Sequence, residues 1–181
     1  MNISNAQREN RFRFHGGFYG QLVSGVLWLF SACLAVTVGV KCAIIALVFG
    51  GFFIFPATES LVRLSGRKKL SQDNTLWSLG MQVAFVLPFS MLLLVPVTQY
   101  RINLFYPALM ILLGAHYIPF VFLYGMRLFA FLAAILIGAG VCIAMFGANT
   151  FSTGAWITGV VLVLFAFLGR NYARSGHSHA A

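Results

Sequence analysis

Three polar side chains, His116, Glu59 and Gln82, each lie inside a long apolar stretch. Ionisable residues within a membrane span are costly, and they mark proton or ligand paths by default. A histidine gains and loses its proton near neutral pH, so His116 suits a proton relay, a pH sensor or a titratable ligand contact. It heads a stripe at i, i+4 and i+8 with Phe120 and Tyr124, and Tyr117 stands beside it. An aromatic pocket with one titratable group has this make-up, and so does a plain packed aromatic helix. In the plain case the ring bonds a neighbouring helix, an interaction worth under ~1 kcal/mol in a bilayer. Glu59 has a near partner in Arg63 at i,i+4 spacing, the geometry of a side-chain pair on one helix. Its reactive alternative is a proton-carrying carboxyl. Gln82 is uncharged but fully polar.

These groups must sit on elements that cross a membrane. The chain has 181 residues, 60% of them hydrophobic and 8% charged, with a mean hydropathy of +0.90. A soluble domain carries about 25% charged residues, so this chain lacks the polar surface to cover a globule in water. That excludes a cytosolic enzyme, a disordered tail and a disulfide scaffold. Six apolar stretches reach the ~20 residues that a spanning helix needs: 18–40, 42–64, 75–98, 104–124, 128–146 and 151–169. None alternates with period two, as barrel strands do. The expected fold is all-α, one domain over 1–181, a six-helix membrane bundle with a flexible tail at 170–181. The first span continues too far for a signal peptide, whose apolar region is about 7–15 residues, so it is read as retained.

Charge sets the expected orientation. Ten of the twelve Lys and Arg residues fall on one side if the N-terminus is inside; only Lys41 and Arg101 fall outside. Such a bias over short loops places both termini in the cytoplasm, and size and charge suit a bacterial inner membrane. The same residues predict contact with anionic lipid headgroups. Nucleic acid is not an expected partner, because the basic residues are scattered over membrane flanks rather than gathered on one face.

At a rise of ~1.5 Å per residue, His116 lies roughly 13 Å from the inner end of its span, Gln82 roughly 10 Å and Glu59 roughly 6 Å from Arg63. Pro56, Pro88, Pro96 and Pro119 are interior to spans two to four, whereas Pro107 is near a helix start. Each interior proline removes a donor and frees the carbonyl four residues earlier, those of Phe52, Ala84, Leu92 and Ala115. In lipid such carbonyls need protein or water partners. Spans two, three and four are therefore expected to meet around an irregular interior, with Pro56, Pro88 and Pro119 as kinks.

Small residues recur every four positions in two other spans: Gly16, Gly20, Ser24 and Ser31, Ala35, Gly39 in the first, and Ala130, Ala134, Gly138, Cys142 in the fifth. Such stripes let helices approach closely, within the bundle or in a homo-oligomer. Cys33, Cys42 and Cys142 have no metal or redox spacing and read as small packing residues, with a Cys33–Cys42 disulfide conceivable. No paired carboxylate, phosphate loop or GxSxG is present, and His177 and His179 lie in a fraying tail. No enzyme, metal or cofactor is expected.

The stretch from Phe55-Pro56 through Leu61-Val62-Arg63-Leu64, Leu79-Gly80-Met81-Gln82 and Pro88 to Leu113-Gly114-Ala115-His116-Tyr117-Ile118-Pro119-Phe120 and Tyr124 is similar to the domain-of-unknown-function family seventy-ten of small six-span bacterial membrane proteins. The Gly-x-His-aromatic-x-Pro run is the most specific part. The resemblance implies six spans and makes Gln82, His116, Tyr117 and Pro119 signature positions. Three positions depart from the family pattern: a small residue is expected near Thr58, a proline at Thr75 and no acid at Glu59. These features converge on a small-molecule or ion transporter or channel, with a polar pocket between spans two, three and four centred on His116 and built with Gln82, Tyr117, Tyr124 and Glu59. The alternative is a non-transporting accessory or lipid-binding bundle.

Overall fold

The computed structural model describes residues 1–67, 70–71, 73–147 and 150–178, with side chains as far as 174. Lys68, Lys69 and His179 fall outside the described residues, as does the His177 side chain. Among the described residues the regular structure is entirely helical: α1 Ile3–Arg13, α2 Phe18–Thr37, α3 Val40–Leu64, α4 Trp77–Ser90, α5 Leu94–Tyr100, α6 Phe105–Tyr124, α7 Leu128–Phe146 and α8 Thr153–Ser178. Six stretches are long and apolar enough to cross a membrane, so the chain is a six-helix membrane bundle. The first is α2 with the turn before it, and the third joins α4 to α5.

Three departures from the sequence reading bear on the fold. Val40 opens the second span instead of closing the first, because Gly39 turns the chain with φ +138°. The third span is not one smooth helix: a short 3-10 turn at Met91–Leu93 separates α4 from α5. Pro96 has no N–H to give the carbonyl of Leu92, so the α-helical ladder is already broken there. By contrast, α3 runs on past Pro56 and α6 past Pro119. The last helix extends to Ser178, beyond the expected end of the span at 169.

Helix α1 was not foreseen. Asn2 Oδ1 accepts the Asn5 N–H at 2.9 Å, which satisfies one of the orphan donors of a first turn. A tight turn at His15–Gly17 then leads into α2. Gly16 has φ +66°, and a Cβ on it would stand 2.6 Å from the Gly169 carbonyl oxygen. Only glycine allows both the left-handed backbone and that approach of α8.

The bundle is built on close pairs: α6 with α7, α2 with α8 and α2 with α3. A Cβ on Gly25 would meet Val163 at 2.8 Å and the Gly159 carbonyl at 3.1 Å; one on Gly140 would meet the Pro107 carbonyl at 2.8 Å. These are backbone-to-backbone approaches, the packing that holds helices together where lipid offers no hydrophobic drive. Spans two and three barely touch each other. The Cys33, Cys42 and Cys142 thiols are free and exposed, so they face outward instead of packing inside. Ala130, Ala134, Gly138 and Cys142 are exposed too.

Candidate binding cavity

The half of the bundle nearer the termini encloses a cavity of about 260 Å³. Four spans wall it. Helix α2 contributes Gly20, Gln21 and Ser24; α3 contributes Gly51, Phe55 and Thr58; α4 contributes Trp77, Gly80, Ala84 and Pro88; α6 contributes His116, Tyr117, Phe120 and Tyr124. The first span was not expected to take part. Its Gly16/Gly20/Ser24 stripe splits between two tasks: Gly16 packs on α8, while Gly20 and Ser24 leave room for the cavity.

The α6 wall is aromatic and interlocked. Phe120 stacks on Tyr124 with centroids 5.8 Å apart, and Tyr117 stacks on Phe129 of α7 at 6.0 Å. Phe14 meets Tyr124 edge-on at 6.4 Å. Each such pair adds ~0.5–1.5 kcal/mol beyond buried area, so this wall is firm. The opposite side is not. Phe52, Phe55 and Trp77 line the cavity and yet are 61%, 47% and 43% exposed. Spans two and three make little contact, so the cavity is open along the seam between them.

Polar atoms inside are few. Gln21 Oε1, Thr58 Oγ1 and His116 Nδ1 are buried and have no hydrogen-bond partner in the protein. The His116 ring lies near the backbone carbonyl of Val83. Buried polar atoms in folded proteins nearly always have partners. These three atoms belong to residues of the cavity wall but are themselves covered.

The end of the cavity nearer the termini is closed by α1. Asn10 and Phe14 line it there. The last carbonyls of α6 have no intrahelical partner, and α1 supplies donors to them. Gln7 Nε2 donates to Phe122 O at 2.6 Å, Asn10 Nδ2 to Leu123 O at 3.1 Å, and an Arg11 guanidinium N–H to Tyr124 O at 2.9 Å. The arginine also complements the negative end of the α6 dipole. On the other side Glu9 accepts from the Ser71 N–H and the Asn74 amide, both at 2.6 Å, and Arg13 pairs with Glu59 at 2.5 Å.

The sequence-selected residues thus separate. His116, Tyr117 and Tyr124 come together at the cavity, and Pro88 joins them. Glu59 lies outside the lining. It meets Arg63 at 3.2 Å, as its spacing suggests, but also the buried Arg13, so it anchors α1. Its Oε2 has no partner in the protein. Gln82 is exposed and absent from the lining. Helix α4 turns Gly80, Met81, Ala84, Leu87 and Pro88 inward, a helical face from which Gln82 points away. Of the proline-freed carbonyls, those of Phe52 and Ala84 belong to lining residues, whereas Ala115 is on the exposed side of α6. Gln21, Thr58 and Asn10 were missed as site residues. For Gln21 the signal existed: it is an amide four residues beyond Gly17 in an apolar span. Among the described residues no group of three His, Cys, Asp or Glu side chains is placed to hold a metal.

A family described as "Family of unknown function (DUF7010)" matches residues 3–171, which include α1, all four walls of the cavity and most of α8. The chain belongs to that family. The match begins at the first residue of α1, so the N-terminal helix is part of the family's extent, together with the Gly114–Pro119 run on α6. No curated protein and no solved structure matches the chain.

Proposed function

We propose that the chain is a small-molecule transporter of a bacterial inner membrane, with both termini in the cytoplasm, and that its substrate binds in the cavity beside His116. The carrying observation is the cavity itself, largely apolar and lined by a few polar side chains, Gln21, Ser24, Thr58, His116, Tyr117 and Tyr124 among them. Apolar walls with a few convergent polar groups are the common form of a small-molecule site. The excess of Lys and Arg on the side of the termini supports the orientation. The open seam and the α1 closure give the substrate two separate ways in or out, one from the bilayer and one from the cytoplasm. The pocket of this proposal is built by spans one to four, with Gln82 and Glu59 outside it.

Native mass spectrometry of wild type beside His116→Ala tests the site. A small molecule retained by wild type and lost from the variant is the expected result, and its mass gives the substrate class. Lipid bound equally to both, or no ligand in either, overturns the reading. Flux of the retained molecule into proteoliposomes then separates transport from binding alone.

One observation favours a second reading, a non-transporting accessory subunit. The exposed stripe Ala130, Ala134, Gly138 and Cys142 on α7 suits close approach of another helix. A stoichiometric protein partner recovered from native membranes, with no flux, would support it.

A further inference from the structure

A basic cluster gathers at the turn between α1 and α2. Among the described residues, His15 is the one residue other than glycine with a positive φ, at +49°. Such a backbone is strained for a side chain of this size, and strain of this kind collects at functional positions. The turn is pressed against α8: a Cβ on Gly16 would stand 2.6 Å from the Gly169 carbonyl oxygen and 3.1 Å from the Ala173 Cβ. The residues that follow those two are Arg170 and Arg174, one helical turn apart. Arg67, beyond the end of α3, comes to the same place and donates its Nε–H to His15 Nε2 at 3.2 Å. All three arginines act electrostatically on His15.

Like charges so gathered repel one another, and no Asp or Glu offsets them. All three acids of the sequence are among the described residues. The ion pairs there are those of Glu59 with Arg13 and Arg63, and Glu9 is engaged by Ser71 and Asn74. The two residues after Arg67 in sequence are lysines. Aromatic rings fix the arginines instead. The Arg67 guanidinium lies 3.9 Å from the Phe12 ring centroid and that of Arg170 4.9 Å from Phe18. Stacking occupies the face of a guanidinium and leaves its in-plane N–H donors for an acceptor. Arg170 and Arg174 donate no hydrogen bond to any described residue.

Depth narrows the choice of acceptor. His15 opens the first apolar span, Arg67 stands just past the end of the second at Leu64, and Arg174 closes the sixth. Phe167, one turn above Arg170, packs on Phe18 at 5.4 Å and is still 49% exposed. Fixed cations beside exposed apolar side chains at the ends of spans match the headgroup layer of a bilayer.

We propose that the His15 turn, with Arg67, Arg170 and Arg174, binds the phosphate group of an anionic phospholipid in the leaflet on the side of the termini. Guanidinium forks match phosphate oxygens with paired donors, and basic pockets between helix ends hold acidic headgroups in this way. His15 positions Arg67 by accepting its Nε–H, and an acyl chain lies over Phe167. None of the four basic side chains lines the cavity, so this site stands apart from the transport reading.

The test is native mass spectrometry of the full chain in detergent, with phosphatidylglycerol and phosphatidylcholine of the same acyl chains. Both carry a phosphate, but only the first has a net charge. Wild type should retain one phosphatidylglycerol per chain about tenfold better than phosphatidylcholine. Arg67→Gln/Arg174→Gln should remove most of that preference. Arg8→Gln/Arg127→Gln takes the same charge from exposed positions elsewhere at the end nearer the termini, and should leave the preference within about twofold. Arg174→Gln alone, at an exposed side chain whose loss spares the fold, should lower it about threefold. Equal retention of the two lipids overturns the site. An equal loss in the two double variants also overturns it, because only general surface charge then remains. Inorganic phosphate separates the sources. If it displaces phosphatidylglycerol where chloride of the same ionic strength does not, the ligand is a soluble phosphate and the lipid assignment fails; no displacement supports the lipid.

Discussion

The two ends of the bundle are closed by opposite means. At the end away from the termini, the closure is a packed core. Tyr106 is fully buried, shares a 2.6 Å hydrogen bond with Ser31, and lies 4.7 Å from the ring of Phe151 and 5.8 Å from that of Trp28. Ser31 in turn donates to the Ala43 carbonyl at 2.9 Å, so spans one, two and four are tied in one place. At the end nearer the termini, the closure is a separate helix held by side chains that reach for backbone carbonyls and for one carboxylate. A packed core opens only by repacking. A helix held by a few hydrogen bonds and ion pairs can lift as a unit, at a free energy well below that of global unfolding. The difference teaches which end of the cavity is built to move.

Three substitutions sharpen that contrast, in falling order of effect. Tyr106→Ala removes a whole aromatic side chain from the packed end and should cost about 3–5 kcal/mol. The expected result is a large drop in the thermal midpoint in detergent; a midpoint within a few degrees of wild type would show that this end is not the rigid one. Arg13→Ala strips Glu59 of its buried partner. Losing one member of a buried pair costs ~3–5 kcal/mol, but Arg63 stays at 3.2 Å, so a loss of about 2–3 kcal/mol is expected. It should be accompanied by faster hydrogen–deuterium exchange in residues 3–13, while the exchange of α6 and α7 near their contact stays slow. Equal acceleration throughout would mean that α1 is part of the global fold and not a separable closure. Gln7→Ala deletes one hydrogen bond to a helix-end carbonyl, worth roughly 0.5–1.5 kcal/mol. Its mark should be on α1 exchange alone, with the thermal midpoint nearly unchanged.

The spans were legible because membrane helices announce themselves by continuous apolarity, and five of the six keep one unbroken helix. The third did not, since where a proline-rich span breaks depends on which carbonyls find partners. Faces were harder. Gln21 and Gln82 are the same residue type in comparable surroundings, yet one is 3% exposed at the cavity and the other faces out. Only the neighbouring helices decide between them, because α4 is apolar all round and has no polar side to orient it. Glu59 shows the same limit: its spacing gives Arg63, while Arg13 lies 46 positions away. The α6 stripe of His116, Phe120 and Tyr124 was readable because its residues share one helix.

The attachment of α1 also sets a schedule. Its acceptors at Phe122 and Tyr124 lie 115 and 113 positions downstream of Gln7 and Arg11. At ~5–20 residues per second of synthesis, α1 waits roughly 6–23 s before its seat exists. Three spans must be threaded and a fourth finished in the meantime. Helix α1 is thus made ahead of the spans yet cannot be put in place until the fourth is finished, and the cavity stays unsealed on that side until it is.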